Sequence, residues 1–343
     1  MINKEILRQI VFQQKNEKFS VQDSVKREIL GVVLDWFNDN RVIVLTGIRR
    51  AGKSTLLRQI MQKKLNYCYV NFEDERFIDF KAEEFEQLNE VLIEIYGNPN
   101  IYFFDEVQNI EKFETFVRRL QDQGKKVVIT GSNARLLSKE FGTKLTGRYK
   151  SFEVYPFSFS EYLSFNNIKP EKEWFYLTEG KVKIKKLFAE YFVNGGLPEY
   201  LKNKDIEYVK TLYENILYRD IIARYSIKKQ KIIKELMNLL VSNISSTFTY
   251  NSLKKSLGLS NSITVKEYIS YLSNSYLFFE LQRFDFSVKR QLNFPKKIYL
   301  IDPVFSQISG FNFSMNKGKM LENIVFIELK RRNNEIYYCL NKN

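Results

Sequence analysis

The 343 residues carry 54 Lys and Arg against 40 Asp and Glu, a net charge of +14, with 44 % apolar and 15 % aromatic residues. That apolar content suffices for two or three domains with cores of their own and excludes disorder over most of the length. Two cysteines exclude a disulfide framework, and the lack of any histidine excludes imidazole acid–base catalysis, Ser-His-Asp triads and His-containing zinc sites.

Any chemistry must therefore rest on carboxylates, Lys, Arg, hydroxyls and a hard cation such as Mg²⁺. The charge is uneven: residues 201–343 hold 23 Lys and Arg against 12 Asp and Glu. A basic C-terminal half predicts a polyanionic partner, nucleic acid above all; the alternative is a Lys-rich solubilising surface. No run approaches the roughly 18 apolar residues of a membrane span, and the N-terminus lacks a signal-peptide core. We expect a soluble, cytoplasmic protein with no membrane partner.

In chain order, Val25, Ile29, Val32, Val33 and Trp36 predict an amphipathic helix over 22–38. A short buried strand follows at Val42–Thr46, then a helix from Lys53 to about Lys64. Further strands are expected at Tyr67–Phe72, Ile101–Phe104 and Val127–Thr130, with helices running to Tyr96 and from Phe113 to about Gln121. Short apolar runs separated by helices predict an α/β fold, a parallel sheet with helices on both faces.

The segment "TGIRRAGKST" fits G-x-x-x-x-G-K-[ST], the phosphate-binding loop of P-loop NTPases, with a strand before it and a helix after it. Gly47 and Gly52 let the backbone curl so that its N–H groups point inward, and the helix adds its positive end. Gly47, Ile48, Arg49, Arg50, Ala51, Gly52, Lys53, Ser54 and Thr55 form the expected nucleotide-binding set. Lys53 would reach the β- and γ-phosphates and Ser54 would place its hydroxyl on Mg²⁺. Arg49 and Arg50 would meet phosphate, a DNA backbone or only solvent.

Downstream, "NIYFFDEVQN" ends an apolar strand in two carboxylates. Asp105 would hold Mg²⁺ and Glu106 would orient or deprotonate the attacking water. In "VVITGSNARLL", Ser132 and Asn133 are candidates to sense the γ-phosphate or the water, Asn133 being preferred for the side-chain contact; capping a helix is the alternative. Arg148, after Gly147, would stabilise transferring charge in its own subunit or a neighbour's, or make a surface salt bridge. The acidic "NFEDERF" is read mainly as a solvated turn and helix start, with a metal role as the alternative.

Residues 186–243 have helical spacing, broken at Gly195-Gly196-Leu197-Pro198, a candidate hinge. A short helix at Ser252–Leu257, a turn at Gly258, a second helix capped by Asn261 or Ser262, and strands at Leu277–Phe284 and Ile298–Ile301 give a winged-helix layout. The second helix would present Thr264 and Lys266 to a major groove; Lys289, Arg290, Lys296 and Lys297 would meet phosphates. The competing expectation is a module that packs only against protein.

The stretches "TGIRRAGKSTLL", "YVNFEDERF", "IYFFDEVQNI", "VVITGSNARLL", "LTGRYKSFEVYPFSFSEYL", "YFVNGGLPEYL", "LYRDIIARYSI" and "KKIYLIDPVF" span nearly the whole chain in order. Together they resemble the archaeal and bacterial AAA+-like P-loop ATPases that join an AAA-type core (AAA_14) to a C-terminal DUF4143-type domain. The resemblance implies an ATPase core over 1–160, a helical lid over 161–245 and a winged-helix-like module over 246–310. It also implies a partial, truncated or degenerate restriction-nuclease-like tail over 311–343, in which Glu322 matches the first acidic position.

The resulting expectation is a Mg²⁺-dependent ATPase that couples ATP or ADP state to DNA binding. Its rivals are a slow ATP-dependent switch acting on a protein partner or a second copy, and a DNA-binding regulator with a vestigial nucleotide site, against which intact Lys53, Asp105 and Glu106 argue.

Overall fold

The computed structural model of the chain describes residues 2–17, 24–132, 145, 147–308, 316–332 and 334–339. The chain packs into two compact units, Met1–Gly47 with Gly52–Val154, and Ile48–Ala51 with Tyr155–Asn343. The lid, module and tail expected over 161–245, 246–310 and 311–343 thus share one unit, which also takes in four residues of the phosphate-loop motif.

The first unit is built on five strands: β1 (Val42–Thr46), β2 (Tyr67–Asn71), β3 (Ile101–Asp105), β4 (Lys126–Gly131) and β5 (Tyr149–Glu153). They lie in the order β2-β3-β4-β1-β5, every neighbouring pair parallel. Ile43, Val44, Leu45, Phe103 and Phe104 are wholly buried, which is why these strands read as unbroken apolar runs rather than alternations. The edge strand β5 is only half-buried at Tyr149, Lys150 and Ser151, so its apolar signal is weak and it was not expected.

Helices of this unit are α1 (Lys4–Asn16), α2 (Ile29–Asp35), α3 (Lys53–Met61), α4 (Phe85–Tyr96) and α5 (Phe113–Asp122). The helix expected over 22–38 is α2 followed by a 3₁₀ turn at Trp36–Asn38; residues 18–23 lie outside those described. Helix α1 was not expected, although Leu7, Ile10, Val11 and Gln14 share one buried face and the Asn3 side chain caps its first turn. It is held to α4 by Lys4 on Glu90 and Glu94 and by Arg8 on Glu94. Phe72, Phe77, Phe80, Phe85, Phe104 and Phe116 fill the space beneath the sheet, Phe85 and Phe116 stacking with centroids 4.6 Å apart. That cluster accounts for much of the aromatic richness of this half.

The second unit opens with helices α6 (Phe159–Phe165), α7 (Thr178–Asn194), α8 (Pro198–Asn203) and α9 (Ile206–Asn215). α9 runs directly into a π-helical segment, Ile216–Ala223. After α10 (Gln230–Ser242) come β6 (Thr247–Phe248), α11 (Tyr250–Ser256), α12 (Ser262–Asn274), β7 (Phe278–Leu281), α13 (Val288–Asn293), β8 (Lys296–Leu300) and α14 (Lys317–Arg331). The three strands form an antiparallel sheet in the order β6-β8-β7. Asn261 caps α12 by accepting from the Ile263 N–H. Asn323 of α14, fully buried, holds the far side of β8 by donating to Leu300 O and accepting from Leu300 N, both at 2.8 Å. Among the described residues no helix is long and apolar enough to cross a membrane.

Helix α7 stops at Gly195, whose φ is +66°; a Cβ there would lie 1.7 Å from Asp302 Oδ1. Only glycine lets Asp302 come this close. Asp302 accepts from the N–H of Gly196 at 2.7 Å and of Val304 at 3.0 Å. Burial pushes its pKa up to about 7, against those two amides and the Arg331 charge, which favour the carboxylate. The fold therefore prefers the protonated acid. The stability this contributes is whole below the ordinary value of 3.8 and is lost as pH rises through about 7. The unfolding free energy of the wild type relative to Asp302→Asn should fall over that interval, by up to about 4 kcal/mol. Urea unfolding at fixed ionic strength tests this; a difference that stays flat with pH would mean that Asp302 titrates normally.

Candidate functional site

The motif of residues 47–54 forms the turn between β1 and α3. Gly47 has φ +144°, and a Cβ on it would lie 2.1 Å from the Val154 carbonyl oxygen, so the loop leaves the sheet under the chain that follows β5. Val154 N–H in turn donates to Thr46 O at 2.7 Å. Arg50 and Gly52 also take positive φ, +66° and +93°. Leu56 N–H donates to Gly52 O at 2.9 Å, closing the first turn of α3. A curled loop feeding a helix N-terminus is the geometry that anion binding requires.

Lys53 is 4 % exposed; its ammonium donates to Gly47 O at 3.2 Å and lies 3.8 Å from Glu106 Oε1. The cation is thus held at the mouth of the loop, beside a carboxylate from β3. Ile48 and Ala51 are fully buried, Ser54 and Thr55 half-buried, and Arg50 exposed. Arg49 makes a two-pronged ion pair with Asp220 of the π-helical segment, Nε to Oδ2 and Nη2 to Oδ1, both 3.0 Å.

Asp105 ends β3 and is 3 % exposed. Burial, and then the neighbouring charge of Glu106, raise its pKa; hydrogen bonds from Thr130 and Ser54 and the Lys53 charge work the other way. The Thr130 hydroxyl donates to Asp105 Oδ1 and the Tyr69 hydroxyl to Oδ2, the latter at 3.4 Å. The oxygen-only donor pair of Ser54 and Asp105 suits Mg²⁺, a cation that keeps waters and shares phosphate oxygens instead of seeking an all-protein cage. Among the described residues no group of three or more His, Cys, Asp or Glu side chains is placed to hold a metal ion.

Glu106 has φ +51°, a left-handed backbone that costs a non-glycine residue of order 1 kcal/mol and turns its side chain away from the strand direction. Its N–H donates to Thr130 Oγ1 at 2.9 Å, and Gln108 Nε2 donates to its Oε2 at 2.5 Å. Thr130 therefore ties the Asp105 carboxylate and the Glu106 backbone to the end of β4. Its signal in the sequence is a hydroxyl residue closing an apolar strand, a weaker one than the polar pair Ser132 and Asn133 that follows. Of those, Ser132 is 2 % exposed with its hydroxyl 3.5 Å from Gln108 Nε2. Asn133 lies outside the described residues.

Arg148 stands elsewhere. It immediately precedes β5, its carbonyl accepts from Val42 N–H at the start of β1, and its guanidinium pairs with Asp122 at 2.7 Å. The phosphate loop leaves the opposite end of β1. A five-residue parallel strand spans about 16 Å, beyond the reach of an arginine. Within one copy, the expected charge-stabilising role at this loop is therefore corrected to a surface ion pair.

The residues expected to face DNA also divide. Lys266 on α12 and Lys289 on α13 are exposed, and Thr264 is half-buried. Arg290 is exposed but paired with Asp285 at 3.0 Å. Lys296 is buried and donates to the carbonyls of Leu292 and Phe294, so it is no phosphate contact. Lys297 is engaged by Glu322 at 2.8 Å, and Glu322 also accepts from the Tyr299 hydroxyl at 2.6 Å. Glu322, expected as an acidic nuclease position, serves as a structural acceptor.

An AAA domain model matches residues 39–163, and a domain of unknown function, DUF8612, matches residues 185–307 where a DUF4143-type domain was expected. An uncharacterized protein of Methanocaldococcus jannaschii is 36 % identical over 318 residues, covering 89 % of this chain and 70 % of its own. A Haemophilus influenzae protein is 30 % identical over 313 residues, covering 86 % of this chain and 76 % of its own. Among solved structures, the Walker-type ATPase of Pyrococcus abyssi has a TM-score of 0.55 at 17 % identity, over 85 % of this chain and 97 % of that one, a likeness of fold.

Replacing Thr130 by Val keeps the shape but strands the buried Asp105 carboxylate and the Glu106 N–H. The expected cost is about 1–3 kcal/mol of unfolding free energy, while Thr130→Ser should cost much less. Denaturant titration of the two variants distinguishes this from a purely steric role, for which Val would be nearly neutral.

Proposed function

Because the chain belongs to the family of AAA-domain P-loop ATPases that includes these archaeal and bacterial relatives, we propose that it is a Mg²⁺-dependent ATPase coupling nucleotide state to DNA binding. The observation that carries this is the convergence at the end of the sheet: the Lys53 ammonium is 3.8 Å from Glu106, and Asp105, buried beside it, accepts from the Thr130 hydroxyl. The loop N–H groups and Lys53 would hold the β- and γ-phosphates. Ser54 and Asp105 would hold Mg²⁺, which when bound supplies positive charge against the phosphate oxygens. Glu106 would take the proton of the attacking water, and Ser132 with Asn133 would sense the γ-phosphate. Arg148 would serve only a neighbouring copy's nucleotide in a homo-oligomer.

For DNA, the support is topological and electrostatic. The order α10, β6, α11, α12, β7 and β8, with the sheet ordered β6-β8-β7, supports a winged-helix reading in which α13 stands where the wing would be. α12 would enter the major groove with Lys266, and the segment between β7 and β8 would set Lys289 and Arg290 on phosphates. The excess of basic residues over 201–343 favours this.

A second reading, a slow ATP-dependent switch for a protein partner, is favoured by one contact. The Glu106 carboxylate is held by both Gln108 and Lys53, which leaves it poorly placed to activate water until something moves.

Steady-state hydrolysis with Mg²⁺, with and without duplex DNA, separates these. Lys53→Ala should lose nucleotide binding. Glu106→Gln should bind nucleotide normally but turn over about 100-fold more slowly or worse. Stimulation of the wild type by DNA supports coupling. DNA binding indifferent to nucleotide sinks it, and slow turnover indifferent to DNA transfers the assignment to the switch.

A further inference from the structure

The middle of the phosphate loop, Ile48–Ala51, belongs to the second compact unit, while Gly47 and Gly52 onward belong to the first. Ile48 and Ala51 are fully buried, so the loop is set down at two small apolar points, and Arg49 between them adds a polar one. Its guanidinium pairs with Asp220 through Nε and Nη2, each 3.0 Å from a separate carboxylate oxygen. Side-chain exposure is 16 % for Arg49 and 3 % for Asp220. A planar fork on a carboxylate fixes direction as well as distance, and in a buried setting neither partner is easily replaced by water.

Asp220 sits in the π-helical segment Ile216–Ala223, flanked by Ile216, Leu217, Ile221 and Ile222, all buried. π-helical turns are rarely longer than one turn and concentrate where function demands an unusual side-chain placement. The loop it holds needs such help, because Gly47, Arg50 and Gly52 all take positive φ. A backbone bent in this way has little intrinsic preference for its shape. Loop N–H groups that converge on a phosphate must stay converged when the phosphate leaves, or each binding event must order them afresh.

We propose that Asp220 is a positioning residue for nucleotide binding, holding the phosphate loop in its binding shape through Arg49. The inference rests on the ATPase reading above. Because loop contacts with phosphate are made in the ground and transition states alike, loss of the anchor should weaken affinity without slowing chemistry.

The test compares wild type, Asp220→Asn, Arg49→Lys and Lys53→Ala in Mg²⁺-ATP titrations, steady-state turnover and thermal unfolding. Asp220→Asn keeps the shape and drops the charge; Arg49→Lys keeps the charge and drops the fork. The expected result is a rise in KM and in nucleotide Kd of about 10-fold or more for Asp220→Asn, with kcat changed less than about 3-fold and a smaller shift in the same direction for Arg49→Lys. Unchanged or tighter binding in a folded Asp220→Asn variant overturns the proposal, tighter binding meaning that Asp220 competes with phosphate for Arg49. If Asp220→Asn does not fold, Arg49→Lys decides alone, with unaltered affinity the overturning result. Lys53→Ala separates the two levels. If it abolishes binding while Asp220→Asn does not weaken it, only the positioning role fails; if wild type binds no nucleotide, both fail.

Discussion

An ionisable acid buried at the end of a central strand sets the terms for the first unit. Asp105 is almost inaccessible, and burial alone pushes it toward neutrality. A carboxylate in that position is tolerable only if hydrogen-bond donors and positive charge surround it. Thr130, Tyr69 and Ser54 provide the donors and Lys53 provides the charge. They come from three elements: Thr130 from β4, Tyr69 from β2, and Lys53 and Ser54 from the first turn of α3. The sheet order follows the same need, because β4 lies between β1 and β3 and brings Thr130 to the Asp105 carboxylate and the Glu106 N–H at once. A cation between Ser54 and Asp105 would relieve that burial cost.

The neighbouring residue meets a different constraint. Glu106 leaves the strand with a left-handed backbone and is held by Gln108 and Lys53. Asp105 and Glu106 are adjacent in sequence yet do separate work because the turn between them points one carboxylate into the sheet's end and the other toward the ammonium. The same kind of conformational demand governs the loop, where Gly47 passes beneath Val154 at a distance no Cβ would tolerate.

The second unit is organised around another buried acid, Asp302, in a mainly helical surround. It joins the break after α7 to the start of the 3₁₀ turn following β8 by accepting two backbone N–H groups. Asn323 does the equivalent for Leu300 at the end of β8, beyond its pairing with β6. Both side chains replace hydrogen bonds that the backbone cannot make for itself. In this unit the lysines divide by partner: Lys296 and Lys297 are consumed by carbonyls and Glu322, while Lys266 and Lys289 remain at the surface.

Much of this was legible in one dimension. The strands expected at 42–46, 67–72, 101–104 and 127–130, each within a residue of those formed, stood out because parallel strands buried on both faces are unbroken apolar runs, and the phosphate loop did because glycine spacing and the Lys-Ser pair are dictated by backbone geometry. Strand β5 and helix α1 were missed, the first because a half-buried edge carries little apolar signal, the second because its buried face includes Gln14. What the sequence determined by itself was local: which residues curl, which run straight, and which carry charge beside them. Tertiary structure alone decided which distant groups meet. Thr130 reaches Asp105 across 25 residues and Asp220 reaches Arg49 across 171, and chain spacing says nothing about either. Arg148 and Lys296 looked like free cations for the same reason. A charged side chain has no period, so its partner is fixed only when the fold brings an opposite charge or a carbonyl within hydrogen-bonding distance.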